Sequence, residues 1–125
     1  MTQQAWTLTG IEPATQCRDK AGNAMLSGDC FEAELLRGSE RHVLRVGITR
    51  QAMASAMELL LREGVIDRED RCAAGRALIR AHLAGLLASQ HAGPWEPARH
   101  RYLTIDSHNV SDLCRQILGA LAVSE

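Results

Sequence analysis

The stretch that decides the fold is FEAELLRGSERHVLRVGITRQAM, residues 31–53. Phe31, Ala33 and Leu35 alternate with Glu32 and Glu34, the period of a strand with one apolar face and one wet face. The polar run Arg37-Gly38-Ser39-Glu40 then reads as a turn. On the return, Leu44, Val46 and Ile48 share one face, with Arg45 and Gly47 on the other. The pattern predicts an antiparallel hairpin covered on one side. Thr49 reads as the N-cap of a helix, with Ile48 and Met53 placed to form a hydrophobic staple.

Beyond the hairpin, the helix should run to about Glu63 and stop at Gly64. Its expected buried stripe is Met53, Met57, Leu60 and Leu61. Asp67 reads as the next N-cap, with Glu69 and Asp70 in the first turn of a helix over residues 68–89. That helix carries two apolar stripes. One is Cys72, Ile79, Leu83 and Leu86; the other is Ala73, Ala77, Ala81, Ala84 and Ala88. Two such stripes predict a central helix packed on two faces. Arg76 and Arg80 share its polar strip and are expected to pair with Glu58 or Glu63. A loop with two prolines follows, residues 91–97, then a strand over residues 100–106. Asn109, with Asp112 three positions later, reads as the cap of a last helix buried through Val110, Leu113, Cys114, Ile117, Leu118 and Leu121.

Before the hairpin, Trp6 and Leu8 alternate with Thr7 and Thr9, and Gly10 and Pro13 are expected to end that strand. Short strands are expected at residues 15–18 and 24–26, around a turn at residues 20–23. The expectation is a single α+β domain over residues 1–125. It has a small antiparallel sheet of about five short strands packed on three helices.

Residues 31–53 also resemble the start of a family of very short bacterial proteins of unassigned function. In that family a strand, a glycine turn and a second strand lead into a helix opened by Ser or Thr. The run AGPWEPARHRYLTID, residues 92–106, resembles the family's ending, a turn and a final apolar strand. The first thirty residues, the long second helix and the last helix depart from the family pattern. The resemblance implies the hairpin–helix core and carries no activity or site residue with it.

The totals bound the function. At 125 residues the chain can bury roughly two-thirds of its unfolded surface, enough for one core. Only four side chains are aromatic, Trp6, Phe31, Trp95 and Tyr102, so the core must be aliphatic. A formal net charge of −1 excludes a basic nucleic-acid coat and an acidic tail. Thirteen of the fourteen basic residues are Arg, a skew expected of a GC-rich bacterial or phage genome. The four cysteines, Cys17, Cys30, Cys72 and Cys114, form no C-x-x-C pair. That spacing disfavours a metal site and suggests a reducing cytoplasm. No leader or membrane span is expected.

Two candidate sites remain. Trp95, Arg99, His100, Arg101 and Tyr102 lie close together and are of residue types enriched in protein-binding hot spots. The plainer reading of Trp95 is a plug under an irregular loop. Between residues 71 and 105 there are five Arg and one acid, so Arg71, Arg76 and Arg80 form an alternative patch for an anionic partner. The five histidines form no metal-ligand spacing, and Asp106-Ser107-His108 are sequence neighbours that a turn would not aim at one another. No cofactor is expected. The favoured expectation is a non-enzymatic regulator, adaptor or inhibitor that binds another protein. It includes self-association through the last helix and the strand edges. A nucleic-acid-binding regulator is the alternative.

Overall fold

Alternation in the hairpin translates directly into burial. The computed structural model describes residues 4–14, 28–100 and 103–124. Strand β2 (Asp29–Arg37) pairs antiparallel with β3 (Glu40–Ile48), and Gly38 takes the positive φ, +61°, that the tight turn requires. Phe31, Ala33 and Leu35 are buried on one face, with Leu44, Val46 and Ile48 opposite them. On the other face Glu34 pairs with Arg41 and Glu32 with Arg45, cross-strand partners that suit a solvated surface.

Strand β1 (Thr7–Pro13) joins the free side of β2, and β4 (Leu103–Ile105) joins β3, giving the order β1-β2-β3-β4. This corrects the expected sheet in two ways: the described sheet has four strands, and it is mixed. β3 and β4 run parallel. A parallel pair needs a long crossover, and two helices supply it here. The strands expected at residues 15–18 and 24–26 lie outside the described residues. β1 runs on through Gly10 and ends at Pro13, as expected of the proline but not of the glycine. A register shift between Leu8 and Gly10 absorbs the glycine as a bulge, and an edge strand tolerates the missing N–H of Pro13.

Helix α1 (Arg50–Arg62) starts as the sequence indicates, with Thr49 Oγ1 accepting from Ala52 N at 3.2 Å. Gly64 follows its end at φ +74°. The buried positions are Ala52, Met53, Ala56 and Leu60, so the stripe is rotated toward the alanines, and Met57 and Leu61 are only half-buried. Helix α2 (Arg71–Ala88) starts at Arg71, because Asp70 and not Asp67 caps it, accepting from Ala73 N. The preceding loop is held to α1 by the amides of Val65 and Ile66, which donate to Leu60 O. Two short 3-10 turns, Ser89–His91 and Pro97–Arg99, lead to β4, and α3 (Val110–Ser124) closes the fold.

All three helices lie on the apolar face of the sheet. On α2 the buried residues are Ala74, Gly75, Leu78, Ile79 and Leu83, a single face that keeps Ile79 and Leu83 of the first expected stripe. The alanine stripe is not a second buried face: Ala77 and Ala81 are half-buried, and Ala84 and Ala88 are exposed. Gly75 is where α2 meets the sheet most closely. A Cβ there would stand 2.4 Å from Cζ of Phe31. Asn109 does not cap α3 with its side chain. Its Oδ1 accepts from Asp106 N, and its Nδ2 donates to Thr104 O, tying the helix entrance to β4.

The β1 edge is closed by α2 and the turn after it. The Gln90 amide clamps Trp6, with Oε1 accepting from Trp6 N at 2.8 Å and Nε2 donating to Trp6 O at 3.0 Å. Arg76 Nε donates to Ile11 O at 3.0 Å. With the bulge and Pro13, these contacts occupy or displace some of the pairing groups that an edge would offer another strand.

Gly75→Ala should destabilise the chain by about 1–3 kcal/mol through collision with Phe31. Gly85→Ala, where a Cβ meets nothing within 4 Å, should stabilise it by about 0.5–1 kcal/mol. Urea unfolding of both variants checks this; effects of the same sign would overturn the packing assignment.

Candidate functional site

Of the loop residues singled out above, Trp95, Arg99 and His100 are described, and these three do not form one continuous exposed patch. Trp95 is half-buried and packs against the core, its ring beside that of His100 with centroids 5.3 Å apart. Pro97 is buried, and Glu96 reaches Arg37 at 3.8 Å. Arg37 in turn lies over the buried ring of Trp6, 4.6 Å from its centroid. Among the described residues, the buried indole N–H groups of Trp6 and Trp95 find no hydrogen-bond partner. Arg99 is exposed, His100 is half-buried, and Arg101 and Tyr102 lie outside the described residues.

Nor do the three arginines of the alternative patch act together. Arg71 binds Asp29 of β2 at 2.8 Å, and that hydrogen bond raises the guanidinium pKa further. Arg76 spans the Ile11 carbonyl and Glu12, the latter at 3.3 Å. The expected pairing with Glu58 or Glu63 is therefore replaced by contacts to strands, because α2 lies across β1 and β2 with this side toward them. Arg80 is exposed, and no described carboxylate lies within 4.0 Å of it.

Arg80 stands instead on a groove that the sequence did not reveal. Between α2 and α3, with Val65 also on its lining, lies an open trough of about 580 Å³. Its α2 wall is Ala77, Ala81 and Ala84; its α3 wall is Ile117, Ala120 and Leu121. Arg80 and Gln116 supply its polar groups. Leu121 is 45% exposed, and among the described residues it is the exposed large hydrophobic. The alanine stripe was the sequence signal for this feature. Its meaning changed because α3 leaves that stripe partly open. The α3 stripe itself fades along the helix, from buried Val110, Leu113 and Cys114 through half-buried Ile117 and Leu118 to Leu121.

The remaining reactive groups are occupied locally. Asp106 Oδ1 accepts from the His108 backbone N–H at 2.9 Å, so this carboxylate serves the turn before α3. On the outer sheet face, hydrogen bonds from Arg41 and Thr9 hold the Glu34 carboxyl below the usual range. Burial pushes the Cys114 thiol up, away from the thiolate form a nucleophile needs. Among the described residues no three His, Cys, Asp or Glu side chains are placed to hold a metal ion. Cys30 is disulfide-bonded, its partner outside the described residues. This runs against the reducing setting inferred from cysteine spacing, which cannot register pairing between distant cysteines. No described helix is long and apolar enough to cross a membrane. Comparison with family models, curated proteins and solved structures gave no match to this chain.

A disulfide consumes two of the four cysteines, leaving Cys72 and Cys114 as thiols. Thiol titration of unreduced protein in denaturant should therefore count two, rising to four after reduction. In the native state half-buried Cys72 should react well ahead of buried Cys114. A count of four before reduction would show that the disulfide does not form.

Proposed function

We propose that this chain works without chemistry of its own, as a regulator, adaptor or inhibitor that binds another protein through the groove between α2 and α3. The carrying observation is the apolar trough itself, with Leu121 open to solvent at its rim. Removing such surface from water is the usual driving force of association. The loop around Trp95 is the weaker candidate, because its tryptophan is turned toward the core. The nucleic-acid alternative loses support from the arginines, two of which are held by Asp29 and by Glu12. The disulfide at Cys30 favours an oxidising compartment over the cytoplasm.

Ala84 is exposed and lines the groove, so Ala84→Trp should fill it and leave the core intact. Crosslinking in the source cells should lose the partner with Ala84→Trp and keep it with Arg99→Glu, a change on the exposed side of the Trp95 loop. The reverse outcome would move the interface to that loop. A mobility shift of DNA or RNA abolished between about 50 and 200 mM salt would instead support the nucleic-acid reading.

A further inference from the structure

We infer that the groove takes an α-helix of a different protein, one that places a carboxylate against Arg80. This deepens the docking role proposed above and rests on it. The shape of the trough argues for a helix. Ala77, Ala81 and Ala84 recur at helical spacing and project only methyl groups, so a third helix axis can approach to about 8 Å. The trough is open along its length; a small apolar ligand seeks burial over most of its surface, whereas an amphipathic helix needs only one covered face.

Charge selects the partner. Arg80 is the charged residue on the lining, and no described carboxylate within 4.0 Å answers it. A cation at the margin of a desolvated apolar contact favours an acid on the occupant and repels a base. The same geometry argues against a second copy of this chain. A symmetric pair would have to use this one patch on both copies, since Leu121, the exposed large hydrophobic among the described residues, lies on the groove itself. Groove-to-groove pairing would bring the Arg80 side chains of two copies toward each other.

The test uses the full chain and three synthetic 18-residue amphipathic helical peptides. They share a Leu/Ala face and differ only in one flanking residue: Glu, Gln or Lys. By fluorescence anisotropy the Glu peptide should bind about tenfold more tightly than the Lys peptide. Arg80→Glu should reverse that order, and Ala84→Trp should abolish binding of all three. Ala120→Trp, on the exposed side of the opposite wall, should do the same and guards against a fold defect in either variant. If the Glu and Lys peptides bind equally while both Trp variants abolish binding, the carboxylate requirement is overturned and the docking groove stands. If peptides bind and neither Trp variant weakens them, both fall. No binding of any peptide would overturn the helix as occupant. Sedimentation showing a wild-type dimer that Ala84→Trp converts to monomer would assign the groove to self-association and overturn the inference.

Discussion

The contact between Phe31 and Gly75 sets the spacing on which the rest of the fold depends. Phe31 projects from the apolar face of β2, and its ring fills the space that any side chain at position 75 would occupy. Helix α2 can therefore lie directly on the hairpin. At that distance Arg71 reaches Asp29, Arg76 reaches Ile11 and Glu12, and Gln90 reaches the backbone of Trp6. One close approach thus places three polar ties along one helix and the turn that follows it. These ties fasten α2 to β2, to the edge strand β1 and to the segment entering β1.

A second constraint is that the sheet is covered on one face only. Its outer face carries paired charges, so every helix must share the apolar side. There α1, α2 and α3 each pack against the other two, and the end of α3 has less apolar surface to cover than its stripe provides. The groove is the remainder. It forms where alanines are too short to fill the space between α2 and α3. Its apolar character is therefore a consequence of the packing, and its exposure follows from the small size of its walls.

Much of this was legible in residues 31–64 because the signals there are local. Alternation assigns faces, Gly38 and Gly64 supply positive φ, and Thr49 satisfies an amide three residues ahead. The misread positions are those where equivalent local signals compete. Asp67 and Asp70 are both acceptable caps, and Asp70 wins where α2 begins to bury Ala74 and Gly75. Asn109 looks like a cap, yet its amide is spent on Asp106 and Thr104. Arg76 meets the strand beneath it and not α1, while Arg80 meets no described carboxylate on either.

The amino-acid sequence by itself determined that residues 31–48 form a hairpin with one apolar face and that a capped helix follows it. It also determined that the chain is of the α+β class, since periods of two and of 3.6 residues are written into neighbouring side chains. Only the tertiary structure decided that β4 runs parallel to β3, that the alanines of α2 line a groove and that Arg80 is left on its lining. Those outcomes depend on distances between residues far apart in the chain. The same Ala, Arg and Leu side chains would read identically in sequence whether a neighbour covered them or left them open.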